Sequence, residues 1–316
     1  MDYRYFKRIG EKISVIGLGT WQFSETWGVL DYNIAKSIIK AAVENGINLI
    51  DTAAIYGRGK SEEFIGNALK ELNIKRDEVF IATKIPGDFL NEKDVFKAVN
   101  RCLERLRINE IDLMQAHWPP IWHNFPTKNY MRALEKLVDL GKIRYIGLSD
   151  YPVELIDAAR ECLAKHDIVS IQVRYNLVER HAEIEHIPYA EKNDLMLLAW
   201  SPIAKGALSG KYSLDDVTKF NDLRINDPLF HPENYKEVLK LVETLKEIGK
   251  KYGKTPIQVA LNWLINYSKV IIPIPGAKND KQVIENVASV GWKMEYKDWY
   301  EIDKISKSLN ISYVTW

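Results

Sequence analysis

The ends of the short apolar runs in this chain recur at a nearly constant interval. Asp51, Lys84 and His117 follow one another at steps of 33 residues, and Gly19 and Ser149 lie 32 residues before and after them. One strand, one helix and two short connections fill about this length. The interval therefore predicts a series of strand–helix units, whose apolar strands form a parallel sheet that helices cover.

Eight such apolar, β-branched runs alternate with amphipathic segments. They read SVIGLG, NLIDT, VFIATK, IDLMQAH, IRYIGLS, SIQVRY, LMLLAWS and VIIPIPG. Eight units at a regular interval favour a closed (β/α)8 TIM barrel within the α/β class. An open doubly wound sheet is the alternative. It is disfavoured because the first strand–helix turn, GLGTWQFSE, lacks the full G-x-G-x-x-G fingerprint of dinucleotide-binding sheets.

Three segments lie outside the repeat. Because no domain linker separates them from the repeat, we expect one domain over residues 1–316. The opening YFKRIGEKISVIG predicts a hairpin that closes one end of the barrel. After the seventh strand, the polar stretch YSLDDVTKFNDLRINDPLFHPENY is too long for an ordinary connection and predicts a lid or binding loop. Extra helices follow this stretch, and the tail from Lys297 predicts a last helix outside the barrel.

Composition argues against several classes of function. Lys and Arg number 44 and Asp and Glu 43, so the formal net charge is +1 and no nucleic-acid partner is indicated. The start MDYRYFKRIG lacks a signal-peptide core, and no apolar run approaches the roughly 18 residues of a membrane span. Cys102 and Cys162 lie in helix-like segments. We expect both to be buried free thiols of a cytoplasmic protein.

The carboxyl ends of the strands carry the chemistry in barrels of this kind. Asp51, Lys84 and His117 fall there, and Tyr56 follows Asp51 in a glycine-flanked turn. A phenol with its ordinary pKa of about 10 is a poor proton donor at neutral pH. We expect the Lys84 ammonium to lower the pKa of Tyr56, and Asp51 to keep Lys84 charged. His117 would orient a substrate oxygen, so the four side chains together predict an acid–base site.

Three segments resemble the signatures of one known family. DTAAIYGRGKSEEFIG, VFIATK and LMQAHWP are similar to the aldo-keto reductases, the NAD(P)H-dependent (β/α)8 reductases of carbonyl groups, and the similarity extends over nearly the whole chain. The resemblance implies hydride transfer from a nicotinamide and a catalytic tetrad of Asp51, Tyr56, Lys84 and His117. The family's usual WPD after the histidine is Trp118-Pro119-Pro120 here, which is a departure at the substrate rim.

The resemblance also implies an NADPH site, with NADH as the alternative cofactor. Its segments are most like those of the potassium-channel β-subunit branch and its bacterial relatives. Trp200 would stack on the nicotinamide, Arg224 would clasp the cofactor, and Lys278 would hold the adenosine phosphate. Asp150 stands where the family more often has Asn. The implied cofactor residues are Gly19, Thr20, Trp21, Asp51, Ser149, Asp150, Gln172, Trp200, Ser201, Pro202, Ile203, Lys211, Arg224, Gly276, Lys278, Gln282, Glu285 and Asn286.

Four tryptophans are predicted to line the substrate mouth: Trp21, Trp27, Trp118 and Trp122. They favour aromatic or medium-length apolar aldehydes over small charged ones. Loop packing is the alternative role for Trp27 and Trp122. The expected partner is a small carbonyl compound, with no nucleic acid and no membrane, and the oligomeric state is left open.

Three other functions compete with carbonyl reduction. A metal hydrolase needs clustered ligands, but the six histidines show no H-x-H or H-E-x-x-H spacing, so no metal is expected. A glycosidase needs two strand-end carboxylates, and Glu179 and Glu183 lie near one strand end only. A regulatory subunit that senses NADP(H) with weak catalysis stays open as the alternative, although the complete tetrad favours an enzyme.

Overall fold

The computed structural model describes residues 1–27, 31–88, 91–120 and 127–313. An antiparallel hairpin of β1 (Tyr3–Phe6) and β2 (Glu11–Ser14) comes first. The eight following strands in these residues form one parallel sheet, in which each strand pairs with the next in chain order. They are β3 (Leu18–Gly19), β4 (Leu49–Asp51), β5 (Phe80–Ile85), β6 (Ile111–Ala116), β7 (Ile143–Ser149), β8 (Ile168–Arg174), β9 (Met196–Trp200) and β10 (Ile271–Pro273).

The sheet closes on itself between its first and last strands. The amides of Gly17 and Gly19 donate to the carbonyls of Pro273 and Pro275 at 2.9 and 3.1 Å. A Cβ atom on Gly19 would lie 2.5 Å from the carbonyl oxygen of Ile274, so the two strands can approach this closely only at a glycine. The predicted (β/α)8 barrel is confirmed, and the open sheet is wrong.

Helices connect the strands and cover the outside of the barrel. Those in the described residues are α1 (Tyr32–Glu44), α2 (Lys60–Glu71), α3 (Glu92–Leu106), α4 (Thr127–Asp139), α5 (Val153–Glu161), α6 (His186–Asn193), α7 (Leu214–Val217), α8 (Pro232–Tyr252), α9 (Pro256–Tyr267), α10 (Asp280–Val287) and α11 (Tyr296–Lys307). Several begin at side-chain caps that satisfy free amides. The Asn91 side chain accepts from the Asp94 amide before α3, and Thr255 forms a capping box with Gln258 before α9.

The hairpin seals the amino-terminal end of the barrel, as predicted. Phe6, Ile9 and Ile13 pack into one cluster with strand residues that include Leu113 and Leu198. All five side chains are buried, and each contributes roughly 1.5–3 kcal/mol through removal of apolar surface from water. Because this end is plugged, the opposite end, where the strands finish, is the one left for a site.

The chain leaves the regular repeat after β9, where the extra helices α7, α8 and α9 precede β10. Two aspartates of the long polar segment cap its short 3₁₀ helices. Asp222 accepts from the amide of Arg224, and Asp227 accepts from the amide of Leu229. The polar sequence therefore satisfies the segment's own backbone. The last helix, α11, packs against α8 outside the barrel, which confirms both predicted additions.

Neither cysteine is in a disulfide. Cys102 is fully buried in α3, as expected, but Cys162 follows the end of α5 and is half-buried, so the expectation of two buried thiols is wrong for Cys162. A helix ending at the surface leaves its last side chains in contact with water. In the described residues, no helix is both long and apolar enough to cross a membrane. The single domain over residues 1–316 stays a prediction.

The barrel seam, where β3 meets the end of β10 at Gly17 and Gly19, gives a test of stability. Gly19→Ala should lower the free energy of unfolding by about 1–3 kcal/mol, because its methyl group meets a backbone carbonyl that cannot move without opening the seam. Gly17→Ala is the matched control, since its methyl group would meet only the side chains of Ile274 and Leu49, which can shift. Urea denaturation measures both, and equal losses would contradict the role assigned to the seam.

Candidate active site

A cavity of about 320 Å³ opens at the carboxyl ends of the strands. It brings together every residue predicted to bind the cofactor. Tyr56 and His117 also line it, as do Trp21 and Trp27, whereas Lys84 lies behind the cavity wall and is fully buried. The residues predicted from distant parts of the sequence therefore share one site, although their individual roles stay predictions.

The floor of the cavity rests on a buried ion pair. The Lys84 ammonium donates to Asp51 Oδ1 at 2.6 Å and to the Thr52 carbonyl at 2.8 Å. The other carboxylate oxygen of Asp51 accepts from Gln172 Nε2 at 2.9 Å and from Gln115 Nε2 at 3.3 Å. A buried charge is tolerated only when it is paired and hydrogen-bonded. Four neighbouring or facing strands (β4, β5, β6 and β8) supply these partners.

The turn after β4 carries Tyr56 over this pair. Gly57, Arg58 and Gly59 all adopt positive φ, at 56°, 55° and 95°, so the chain reverses within three residues and α2 begins at Lys60. Glycine adopts this backbone at little energetic expense, and this explains the glycines that flank the turn. Ser61, in the first turn of α2, donates to the Thr20 hydroxyl at 2.8 Å, which ties the turn to the residue that follows β3.

The pKa of Tyr56 is raised, which corrects the expectation that Lys84 lowers it overall. Burial of the phenol is the largest cause of the rise, and the Lys84 charge opposes it without cancelling it. The Lys84 ammonium lies 5.2 Å from the centroid of the Tyr56 ring. Burial lowers the pKa of Lys84, but Asp51 and then Tyr56 more than offset this, so the pKa of Lys84 is raised and its ammonium is retained.

His117 is held as a neutral imidazole. Burial, and then the positive charge of Lys84, lower its pKa to about 2. Its ring centroid lies 5.8 Å from that of Tyr56 and 4.6 Å from that of Trp118. Its Nδ1 is buried and has no hydrogen-bond partner among the described residues. A neutral imidazole can donate one N–H to a substrate oxygen without adding a charge.

Trp200 and Asp150 form a fixed pair on the wall next to the floor. The indole Nε1 of Trp200 donates to Asp150 Oδ1 at 2.8 Å, and the Arg174 guanidinium lies 4.5 Å from the centroid of the Trp200 ring system. Asp150 has φ of 55°, a left-handed conformation in which Asp and Asn are over-represented. The orientation of the indole is thereby set before any ligand arrives.

Cationic groups line the other part of the cavity. Lys211, Arg224 and Lys278 are there as predicted, and Lys205 joins them. Arg224 is held by Asp222 through bonds of 2.9 and 2.7 Å, and Lys205 pairs with Asp227. The Lys278 ammonium lies 5.4 Å from the centroid of the Trp27 ring. Lys211 pairs with Glu285 at 3.8 Å, whereas Lys278 has no ion pair among the described residues. A group of cations on the cavity wall suits a ligand that carries phosphates.

Two buried donors on the cavity wall support the presence of a polar ligand. Trp27 Nε1 and Ser201 Oγ have no hydrogen-bond partner within the described part of the chain. Buried polar atoms are normally hydrogen-bonded, so these two fit a ligand that brings its own acceptors. A dinucleotide has such groups, and the residues present fit it.

The substrate residues are only partly brought together. Trp21 and Trp27 meet edge to face at 5.4 Å on the cavity wall. Trp27 is 8% exposed and contacts the cationic end as well, because Arg224 and Lys278 both lie against its ring. Trp118 does not line the cavity within the described residues, since its ring lies against His117. Trp122 lies outside the described residues.

Sequence reasoning missed nine residues of the cavity wall. Lys205, Gly206, Ser209 and Tyr212 lie in the segment AWSPIAKGALSGKY, which also holds the predicted residues from Trp200 to Lys211, so their position in the sequence could have indicated them. Gln22 follows GLGTW, and its side chain lies so close to Gly276 that a Cβ there would be 1.7 Å from Gln22 Oε1. No local signal distinguishes the remaining four, which are Ile55, Ile257, Ile274 and Ala277.

Comparison with known proteins decides the family. The family model described as the aldo/keto reductase family matches residues 15–307. The chain belongs to the aldo/keto reductase family. The members of this family are NAD(P)H-dependent oxidoreductases, so the resemblance read from the sequence is confirmed.

Relatives among the aldo/keto reductases span nearly the whole chain. It is 36% identical to aldo-keto reductase YhdN of Bacillus subtilis, over 96% of this chain and 93% of that protein. It is 31% identical to a probable voltage-gated potassium channel subunit beta of Arabidopsis thaliana, over 92% and 91%. The structure of a glycerol dehydrogenase from Gluconobacter oxydans superposes with a TM-score of 0.88 at 32% identity, covering 100% of this chain and 99% of that one.

The environment of His117 generates a test of its protonation. A histidine in the unfolded chain takes up a proton below about pH 6.5, whereas folded His117, with a pKa of about 2, stays neutral to much lower pH. The unfolded state therefore binds more protons in this window, and stability falls as the pH is lowered through it. We expect this residue to contribute a slope of up to about 1.4 kcal/mol per pH unit, measured by urea denaturation.

His117→Gln should remove this component of the pH dependence, while His231→Gln, at an exposed histidine, should leave it in place. Imidazole NMR should show no titration of His117 between pH 5 and 8. A His117 resonance that titrates near pH 6 would contradict the neutral assignment.

Proposed function

We propose that this chain reduces aldehydes or ketones to alcohols with NADPH. The observation that carries the proposal is the buried Lys84–Asp51 pair beneath Tyr56, at the floor of a cavity whose wall also carries four cationic side chains. When bound, the reduced dinucleotide supplies the hydride. The described residues supply what it lacks, which is a proton donor, a group that orients the carbonyl and a shaped cavity.

Tyr56 is the proton donor in this proposal. Its raised pKa keeps the phenol protonated at neutral pH, and its turn places it on the cavity wall beside His117. As negative charge develops on the carbonyl oxygen, the phenol proton moves to that oxygen. The Lys84 ammonium stabilises the phenolate that remains, and Asp51 compensates the charge of Lys84 in both states.

His117 orients the carbonyl. Because it is neutral, it donates a hydrogen bond to the oxygen without competing with Tyr56 as an acid. Metal ions are not needed for this chemistry. Trp21 and Ile55 give the cavity apolar walls near Tyr56, so aromatic or medium-length apolar aldehydes are the proposed substrates. A cytoplasmic location is proposed with it, on the two free thiols.

A second candidate is a subunit that senses NADP(H) and regulates a partner. The similarity to potassium channel β-subunits is the observation that favours it. The complete set of Asp51, Tyr56, Lys84 and His117 favours catalysis instead, since a site that only binds the cofactor needs no buried ion pair under a phenol. Turnover of a panel of aldehydes, followed as NADPH oxidation, separates the two.

Tyr56→Phe tests the chemistry. It removes the proton donor and keeps the ring, so kcat for aldehyde reduction should fall by at least about 10²-fold, with little change in NADPH affinity. Tyr145→Phe is the matched control, because that hydroxyl donates to the Ile9 carbonyl at 2.8 Å at the plugged end of the barrel. Near-normal turnover of Tyr56→Phe would refute the mechanism.

Lys278→Glu tests the choice of cofactor. Lys278 is exposed at the start of α10 and lines the cavity, where it is proposed to hold the extra phosphate of NADPH. We expect the wild type to prefer NADPH and the variant to lose or invert the preference, with NADH affinity little changed. The measurement is the pair of dissociation constants at fixed low salt, because salt screens exposed charges.

Lys281→Glu makes the same change of charge one residue into α10, on a side chain that lies outside the cavity lining in the described residues. It should weaken NADPH binding much less. Equal affinities of the wild type for NADPH and NADH would rule out the Lys278 assignment, as would a Lys278→Glu protein that binds both cofactors more weakly to the same extent.

A further inference from the structure

Asp150 places a carboxylate on the cavity wall near the proposed reacting groups. It follows β7 directly, and its carboxylate is exposed to the cavity while protein atoms surround it on the other sides. Its field reaches the floor of the site. Burial is the main cause of the raised pKa of Tyr56, and the charges of Asp51 and Asp150 add to it.

This carboxylate differs from the other acidic groups near the floor in having no cationic partner. Asp51 pairs with Lys84 at 2.6 Å, and Glu179 pairs with Arg174 at 2.7 Å. Asp150 makes no ion pair in the parts of the chain that the structure describes, and it accepts a hydrogen bond from the uncharged indole N–H of Trp200. This end of the cavity therefore carries one negative charge that is not compensated by direct contact.

Burial raises the pKa of Asp150 overall, and the Trp200 N–H and the charges of Lys84, Arg174 and His186 oppose this rise. Arg224 and Lys278 lie by the Trp27 ring instead, at 6.0 and 5.4 Å from its centroid. The cavity wall thus has an unpaired carboxylate beside Trp200 and a group of cations around Trp27.

An oxidised nicotinamide dinucleotide has the matching pattern, since its ring is positive and its phosphates are negative. The reduced form has the same phosphates and a neutral ring. A fixed carboxylate near the ring attracts the first form and not the second, by an energy that depends on distance and on the local dielectric. A hydrogen bond to the carboxamide of the nicotinamide, in contrast, is available to both forms.

We propose that Asp150 makes this site discriminate between the redox states of its cofactor, so that the oxidised form binds more tightly relative to the reduced form. The inference rests on the proposed function, because it requires the nicotinamide to lie beside Tyr56. It implies that bound NADPH is a stronger hydride donor than free NADPH. The positive charge that develops on the ring during transfer is stabilised, and NADP+ release is slowed.

Asp150→Asn removes the charge and keeps an oxygen that can accept from Trp200. Isothermal titration calorimetry gives the dissociation constants for NADP+ and NADPH separately. The quantity of interest is the dissociation constant for NADP+ divided by that for NADPH. We expect this ratio to rise by about tenfold in the variant, on the scale of one charge several ångströms away in a partly hydrated site. If Asp150 acted only through a hydrogen bond to the carboxamide of the nicotinamide, the variant would change both constants and leave their ratio unchanged.

Glu154→Gln is the matched control. It removes an equal charge from an exposed position on α5, four residues further along, and should leave the ratio at its wild-type value. Asp150→Ser, which also loses the contact with Trp200, should shift the ratio in the same direction as Asp150→Asn. The serine variant keeps the inference testable if the asparagine protein does not fold.

The outcomes separate this inference from the proposed function. Binding of both cofactors by the wild type, with a ratio that neither Asp150 variant changes by more than twofold, overturns the inference alone. Failure of the wild type to bind either cofactor overturns the proposed function, and the inference with it. A ratio that rises in both Asp150 variants and not in Glu154→Gln supports the assignment.

Discussion

The ion pair between Lys84 and Asp51 is the interaction on which the rest of the site depends. Neither group could stay charged in the barrel interior alone, because removing an ion from water is unfavourable by several kcal/mol even after relaxation. Gln115 and Gln172 complete the hydrogen bonds of the carboxylate. The four residues come from four strands, so the pair forms only when those strands are in register, and the fold and the chemistry are linked at this point.

The electrostatics of the reacting groups follow from this pair. Burial lowers the pKa of His117, and the Lys84 charge lowers it further. Burial raises the pKa of Tyr56, and the Lys84 charge opposes this rise without cancelling it, so the imidazole is neutral and the phenol is protonated. Two neighbouring polar groups with pKa values pushed apart are the usual arrangement for acid–base chemistry at neutral pH.

The loops then give the cavity its polarity. The segment after β9 and the start of α10 bring cations to the cavity wall, where Asp222 and Asp227 hold Arg224 and Lys205 in place. The connection after β7 brings Asp150 to the same cavity, beside Trp200. Catalysis by the cofactor needs little from the protein beyond position and charge, and here both come from loops anchored on a closed, rigid barrel.

Much of this protein could be predicted from its sequence, because the deciding signals are local. A repeat of about one strand and one helix indicates the barrel, and short motifs indicate the family and the residues that converge on the cavity. The tertiary structure decided matters that depend on burial and on distant charges. It raised the pKa of Tyr56 where the sequence suggested a fall, placed Trp118 against His117, left Cys162 partly exposed, and left Asp150 without an ion pair among the described residues. Desolvation depends on every atom packed around a group, and most of those atoms come from residues far away in the chain.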